Sequence, residues 1–438
     1  MTRVAVIGSG ISGLSAAWSL AAPGSAARVT LFEAGDYFGG HTHTVDVSLQ
    51  GSRCGVDTGF LVFNQRTYPE LLRLFAELQV DVAASDMSFS VQVPDTGLEW
   101  SGCDLNTVFA QRRNLLRPAF LRMLADILRF NRLATGIAER NEEVSLLQPI
   151  GDFLAAHRFS SEFSDWYFLP MIGCIWSCPT DQMLQFPLGT MIRFCHNHGL
   201  IQVANRPQWY TVAGGACNYV QKMLPRLPDA RLRTPVRGVR RLGNEQQAAG
   251  VEVLTPDGVE HFDAVVFACH SDQALALLGD DATPAEREVL GAIRYHRNRA
   301  LLHTDTGVLP RRELAWAAWN YERSTDHSRE QAAVCLHYLL NRLQPLPFSQ
   351  PLLVSLNPAR EPKAEAVLGE YDYSHPVFDL AAIAAQRRLA EIQGRRSSWF
   401  CGAWTGYGFH EDGLKSGLAA ARGLQSRFAA ASVDRLVA

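Results

Sequence analysis

The chain opens on a short run, Arg3-Val-Ala-Val-Ile7, that is apolar from Val4 onward, and then breaks into glycines at Gly8-Ser-Gly-Ile-Ser-Gly13. Such a run, β-branched and too short for a helix, predicts a strand buried on both faces, as parallel sheets require. Leu14, Ala16, Ala17, Leu20 and Ala21 then recur at helical spacing, and their small size predicts a helix lying close to a sheet. Arg28-Val-Thr-Leu-Phe-Glu33 reads as a second strand, which completes a β-α-β unit. Much later, Arg231 to Val239 reads as a strand, Gly250-Val-Glu-Val-Leu254 alternates, Pro256-Asp-Gly258 turns the chain, and the run from His261 to Ala268 becomes apolar again after Asp263. This pattern predicts a β-meander followed by a returning parallel strand.

The glycines sit where a nucleotide loop needs them. Gly8 makes the tight turn after the strand, Gly10 lets the backbone approach a pyrophosphate, and Gly13 lets helix and strand touch. Ser9 and Ser12 lie between them, at a helix N-terminus whose free N–H groups favour an anion. Glu33 ends the second strand, where a carboxylate accepts hydrogen bonds from both ribose hydroxyls of an adenosine; an acid there also disfavours the 2′-phosphate of NADP.

The continuation, Ala34-Gly-Asp-Tyr-Phe-Gly-Gly40-His-Thr-His-Thr, resembles the second signature of the glutathione-reductase-like FAD folds, and especially the flavin amine oxidase, protoporphyrinogen oxidase and phytoene desaturase superfamily. The resemblance implies FAD, with Gly39 and Gly40 beside the pyrophosphate and ribityl chain and with Ala34, Thr42, Gly59 and Phe60 in the same site. His41 stands where most members carry arginine, so a phosphate would meet a ring N–H rather than a guanidinium fork. Ser398-Trp-Phe-Cys-Gly402 through Gly417 resembles the superfamily's closing motif, with a strand entering Gly402 and a helix starting near Gly413 and Leu414. By the anion logic of Gly8, that helix end would face the part of the flavin ring that gains negative charge on reduction. Ala403 occupies a position that is usually acidic, and Val236 corresponds to a valine whose backbone contacts adenine. The expected fold is α/β: a glutathione-reductase-like Rossmann FAD-binding domain in three pieces, 1–75, 205–285 and 390–438, with an α+β substrate domain built from 76–204 and 286–389.

Further stretches are similar to a bacterial group of FAD oxidoreductases associated with cyclopropane-synthase-like lipid methyltransferases. They include Asp57 to Asn64, Pro170 to Pro179, Asp181 to Pro187, Asn197 to Leu200 and Arg206 to Gly215. The resemblance implies desaturation of a methyl-branched fatty acyl group, of the kind that precedes furan fatty acids. An amine or other small-molecule oxidase, an FAD-dependent isomerase without net redox change, and a flavin-bearing binding protein remain open. His410 stands three residues before Gly413, where amine oxidases place an aromatic residue over the flavin, and its presence argues against a simple amine oxidase. His410, His43 and Lys415 are the ionisable candidates for catalysis, with a structural role favoured for Lys415.

Composition narrows the rest. A chain of 438 residues, 47% hydrophobic and 19% charged, is expected to form two domains, and a formal charge of −3 gives no reason to expect a nucleic-acid partner. Nine scattered cysteines, together with no signal-peptide pattern and no apolar stretch of roughly 20 residues, point to a cytoplasmic protein without a transmembrane helix. Cys174-x3-Cys178, Cys195, His196 and His198 could be read as metal ligands, but Ile175, Trp176 and Pro179 suit a packed wall better, and no metal is expected. Any of Trp166, Tyr167, Trp176, Trp209 and Tyr210 could line a substrate tunnel or simply fill the core.

Residues 117–133 carry one more signal. From Pro118, the residues Phe120, Leu121, Met123, Leu124, Ile127, Leu128 and Phe130 share one helical face and Arg122, Arg129 and Arg132 another, and residues 112–140 hold seven arginines against Asp126 and Glu139. Such a helix can lie on anionic lipid and give peripheral contact at the inner membrane face, and the protein's partner is expected to be a lipid or other apolar small-molecule substrate. A core-packed helix with solvated arginines is the other reading of the same pattern.

Overall fold

In a computed structural model, which describes every residue except 141–147, 179, 203–205, 244–247, 325–332 and 438, the predicted β-α-β unit is present. It comprises β1 (Thr2–Ile7), α1 (Ile11–Leu20) and β2 (Ala27–Phe32). β1 is the middle of a five-stranded, wholly parallel sheet, with β2 and then Ala230–Arg231 on one side and Ala264–Phe267 and then Ser398–Phe400 on the other. Val4, Ala5 and Val6 are fully buried, as a strand covered on both faces must be. The strand expected over Arg231 to Val239 is shorter than its pattern: only Ala230–Arg231 pairs with β2, and the chain re-enters a sheet at Gly238. Pro235 in this interval has no N–H to give a ladder. From Gly238 the predicted meander runs Gly238–Gly243, Ala248–Thr255 and Gly258–Phe262.

A second sheet of seven strands is drawn from residues 89–101 and 294–377; it is antiparallel except where Phe89–Val93 runs parallel to Trp319–Glu322. The helices Pro118–Arg140, Leu169–Trp176 and Leu188–Asn197 share a core of their own, in which Phe130, Phe163, Phe168 and Phe186 are completely enclosed. Among the described residues, no helix is long and apolar enough to cross a membrane.

The last helix, His410–Val437, starts three residues before Gly413, the position where it was expected to begin. The Asp412 carboxylate accepts the N–H groups of Tyr407 and Phe409 at 3.1 and 3.0 Å, which gathers the incoming loop into the first turn. Its glycines serve a different purpose. A Cβ on Gly413 would stand 2.8 Å from the Ile11 side chain, and one on Gly417 would stand 2.1 Å from the Ser12 carbonyl oxygen. Gly13 is as tightly placed, 1.9 Å from the Gly8 carbonyl. The first and last helices therefore meet backbone to backbone, and Ser15 reinforces the seam by donating to the Leu414 carbonyl at 3.2 Å.

The basic helix departs from the expected division of faces. Phe120, Met123 and Phe130 are buried, but Leu121 and Leu128 stand in solvent, because the apolar arc is wider than the surface packed on Leu188–Asn197 and Ser161–Phe163. Two of the three arginines read as an open basic face are engaged: Arg122 pairs with Glu162 at 2.8 Å, and Arg129 pairs with Asp126 at 2.8 Å and lies over the Phe159 ring at 4.1 Å.

The helix seam generates a stability test. Gly417→Val forces a side chain into the Ser12 carbonyl and is expected to cost about 3 kcal/mol by denaturant unfolding. Gly291→Ala, whose Cβ meets only the Leu275 side chain at 3.6 Å, is the control and should change stability little.

Candidate active site

A cavity of about 780 Å³ opens at the carboxyl ends of β1, β2 and Ala264–Phe267. The strand on one side of β1 follows it directly in the chain, whereas the one on the other side comes more than two hundred residues later, and such switch points are where open α/β sheets bind ligands. Gly8, Ser9, Gly10 and Ser12 line the cavity from the first loop; Glu33, Ala34, Gly39, Gly40 and His41 line it from the segment after β2. Gly59, Phe60, Val236, Gly402, Ala403 and His410 complete the expected set that reaches the wall.

The two glycine signatures form one floor. The Gly39 N–H donates to the Ser9 carbonyl at 3.1 Å and to Ser9 Oγ at 3.2 Å, and Gly10 and Gly39 lie side by side as a parallel bridge. Gly8, at φ +100°, takes a backbone shape that side chains disfavour. Glu33 is already held: one carboxylate oxygen accepts from Ser9 N at 3.0 Å and Ser9 Oγ at 2.5 Å, the other from Gly35 N at 2.8 Å. The first oxygen is thereby filled, and the second keeps one lone pair for a ribose hydroxyl.

Three features fit this floor to a dinucleotide. A Cβ on Gly10 would meet no protein atom within 4 Å, so the space over that backbone is left open. His41 Nε2 is buried without a protein partner, although the ring lines the cavity. No lysine or arginine lines the cavity among the described residues, so an anion there would be met by backbone N–H groups and the α1 terminus.

Six of the expected residues stand behind the wall. Gly413 and Leu414 belong to the helix seam, and Gly13 packs on the Gly8 carbonyl and Ala268. Thr42 is buried, with its hydroxyl 2.6 Å from the Tyr219 hydroxyl. His43 is stacked on Tyr37, with ring centroids 4.3 Å apart, and its Nδ1 is 3.0 Å from both the Thr58 and Tyr373 hydroxyls, so its ring is consumed by packing. Lys415 is half exposed and pairs with Glu411 at 3.1 Å. Glu411 in turn accepts Glu70 N and Leu71 N at 3.0 Å each, which caps the helix Pro69–Leu78.

His410 is therefore the one catalytic candidate that reaches the cavity. Its ring lies flat on Phe60, with centroids 3.8 Å apart, and its Nε2 is 2.8 Å from the Tyr219 hydroxyl. Burial, with His41 nearby, lowers its pKa to about 3. His41 and His375 are lowered to about 4 and about 3, chiefly by burial. All three are neutral near neutral pH.

The rest of the wall was not legible as a group. Phe89 and Trp319 come from adjacent strands of the seven-stranded sheet, Tyr338 from a third, and Met171, Cys174 and Ile175 from the helix Leu169–Trp176. Of the five aromatic residues considered above, Trp209 lines the cavity, while Trp176 packs on Phe186 and Phe194 in the helical core. Burial raises the hydroxyl pKa values of Tyr68 and Tyr338, and Glu33 is the sole carboxylate on the wall among the described residues. The chamber beyond the nucleotide floor is uncharged.

Possible metal ligands have other occupations. Burial pushes the thiols of Cys178 and Cys195 up to about 12, the Cys178 thiol donates to the Trp176 carbonyl, and His198 Nδ1 is 2.9 Å from the Phe194 carbonyl. Pro179 lies outside the described residues. Glu322, Cys335 and His337 cluster within 4.8 Å in the seven-stranded sheet. Hydrogen bonding accounts for them: the Asp305 N–H donates to His303 Nδ1 at 3.1 Å, so neutral His303 carries its proton on Nε2 and donates to Ser355 Oγ at 2.7 Å. Ser355 then donates to His337 Nδ1 at 2.7 Å, and the His337 Nε2–H faces Glu322 at 3.0 Å. This relay satisfies every ring nitrogen of the cluster.

The profile of the flavin containing amine oxidoreductase family matches residues 11–300. Solved structures share the fold across nearly the whole chain. The CLA-producing fatty acid isomerase from P. acnes is 16% identical with a TM-score of 0.68, covering 98% of each chain. Cyclohexylamine oxidase from Brevibacterium oxydans IH-35A is 15% identical with a TM-score of 0.68, covering 98% of this chain and 99% of its own. Putrescine oxidase bound to putrescine is 16% identical with a TM-score of 0.65, covering 97% and 99%. No curated protein sequence gives a significant match.

Two measurements probe the floor. Gly10→Val should fold normally and emerge without flavin, because its side chain enters only the ligand's space; Glu33→Ala should weaken FAD by about 1 to 3 kcal/mol. Full occupancy in the purified Gly10 variant would contradict this geometry. Acid sensitivity is the second. His41, His375 and His410 bind protons in the unfolded chain below the ordinary value of 6.5, but in the folded apoprotein only near 4, 3 and 3. Their contribution is therefore complete above 6.5 and is lost as pH falls toward the folded values. The apoprotein should melt lower at about pH 5 than at about pH 7.5, and an unchanged midpoint would refute the histidine account.

Proposed function

Because the chain belongs to the flavin containing amine oxidoreductase family, and is thus an FAD-dependent oxidoreductase, we propose that it desaturates an apolar acyl chain, a methyl-branched fatty acyl group carried on a phospholipid. The observation that carries the reading is the chamber beyond the nucleotide floor: long aromatic and aliphatic walls, with neither a carboxylate to hold an ammonium ion nor a lysine or arginine to hold a free carboxylate among the described residues. A neutral alkyl chain matches it, and a head group would remain outside.

In this reading Gly8, Ser9, Gly10 and Ser12 would hold the pyrophosphate, Glu33 the ribose and Val236 the adenine. Gly39, Gly40, His41, Gly402 and Ala403 would frame the remainder of FAD. Bound FAD supplies the hydride acceptor. Phe89, Trp319 and Tyr338 would exclude water and orient the alkyl chain. With its Nε2–H donating to the Tyr219 hydroxyl oxygen, neutral His410 would keep Nδ1 as the acceptor for the hydrogen that leaves as a proton.

An oxidase of neutral amines would keep the same FAD floor but need a polar contact for nitrogen. Anaerobic mixing with phospholipids bearing methyl-branched chains decides between the readings. Lasting bleaching of the flavin, with loss of two hydrogens from the lipid by mass spectrometry, is the expected result. Bleaching by amines alone would favour the amine oxidase, and altered lipid without net bleaching would mark an isomerase. His410→Asn should retain FAD and lower kcat about a hundredfold.

A further inference from the structure

The surface around the start of the basic helix carries an arrangement that packing does not explain. Leu105, Leu115, Leu116, Leu121 and Leu128 are all exposed, Leu116 at 88% and Leu105 at 78%. Single exposed leucines are ordinary, but five within 24 residues on one connected stretch are a patch. Arg112 ties it together by donating to the Asn106 backbone carbonyl and side chain, which joins the Leu105 turn to the Leu115–Leu116 turn. Arg117 and Pro118 then lead directly into the helix.

On that helix Pro118, Leu121, Ala125, Leu128 and Arg132 are all exposed, and their spacing places them on one stripe. That stripe is apolar from Pro118 to Leu128 and ends on Arg132, while the opposite apolar face is already spent on the core. Charge frames the patch. Residues 105–132 hold six arginines against Asp126; Arg122 and Arg129 are paired with acids, whereas Arg112 and Arg113 donate to neutral groups and Arg117 lies over the Trp166 ring. Among the described residues, those three guanidinium charges and that of exposed Arg132 have no carboxylate partner.

From this arrangement we infer that residues 105–132 dock the protein on an anionic lipid bilayer, with the leucines in the acyl boundary and Arg112, Arg113, Arg117 and Arg132 among the head groups. Leucines alone would suit many apolar partners. The uncompensated arginines interleaved with them select a surface that is apolar inside and negative at its rim, and that is a membrane interface. The inference names the partner of the acyl-chain reading and rests on that reading for lipid as the biological surface. It replaces the simpler arrangement in which Arg122 and Arg129 face the membrane, since both are held by acids of the protein itself.

Flotation of the FAD-loaded protein with vesicles of phosphatidylglycerol and phosphatidylcholine tests it. The wild type should float at low salt, sink progressively as salt shortens the Debye length, and bind pure phosphatidylcholine poorly. Arg113→Gln with Arg132→Gln should weaken partitioning about thirtyfold, equivalent to about 1 kcal/mol per arginine. Leu116→Gln with Leu121→Gln and Leu128→Gln should abolish it, with FAD content and melting unchanged because these side chains are already in solvent. A wild type that stays at the bottom at low salt overturns the inference, as does flotation indifferent to both variants, or a dimer in solution that the leucine variant dissolves while no flotation occurs. The two readings fail separately. Desaturation of detergent-dispersed lipid without flotation sinks the docking alone, and flotation without any lipid oxidation sinks the substrate reading alone.

Discussion

The contact on which the cavity depends is the backbone seam between the first and last helices. Gly417 has no room for a side chain against the Ser12 carbonyl, and Gly413 has none against Ile11. Ser12 belongs to the nucleotide loop and Gly413 follows His410 by three residues, so one rigid contact sets the distance between the cofactor floor and the imidazole on the opposite wall. Close-packed backbones transmit displacement rather than absorb it. The same helix reaches a third region through Glu411, whose carboxylate caps the helix immediately after Tyr68, itself part of the wall. Nucleotide loop, catalytic candidate and substrate wall are thus referred to one element.

The two parts of the cavity use opposite electrostatic strategies. At the floor, an anionic ligand would be met by backbone dipoles, a neutral histidine and a helix terminus, without a basic side chain among the described residues. Beyond it, burial keeps every titratable group in its uncharged form: the histidines are lowered and the tyrosines raised. Asp57 shows the same pressure just behind the wall. It is buried and raised to about 7, and it accepts from Thr44, Ala216 and Gln344, which joins segments far apart in the chain. A site held neutral throughout has little Coulombic grip on a charged substrate and leaves selection to shape and apolar contact.

What could be read from the residues follows from how local each signal is. Strand β1, Gly8 to Gly13, α1 and Glu33 are contiguous, and each residue type has one backbone task, so both the elements and their assembly were legible. The Gly39–Gly40 pair was legible for the same reason. Phe89, Trp319 and Tyr338 were not, because their meeting depends on strand order in the seven-stranded sheet, which no local pattern encodes. His43 and Lys415 looked chemical by type and by neighbourhood, but a stack with Tyr37 and a pair with Glu411 claim them, and neither partner is marked by periodicity. The basic helix shows the limit of amphipathicity: its arc of apolar residues is wider than any one neighbour, and only the packing separates Phe120 from Leu121.

The sheet is assembled from pieces that the ribosome delivers at very different times. β1 and β2 emerge first, yet the neighbour of β1 on its other side is residues 264–267, the strand beyond that is 398–400, and the helix that locks α1 in place comes later still. Until Gly417 has left the exit tunnel, the nucleotide loop lacks its clamp and an apolar strand lacks its neighbours. Cofactor capture is in this sense a late event in biosynthesis, and the nascent chain has unpaired strand edges to protect for most of its translation. In a fold whose contacts are so remote along the chain, the sheet cannot close, nor the nucleotide loop be clamped, before the last helix is available.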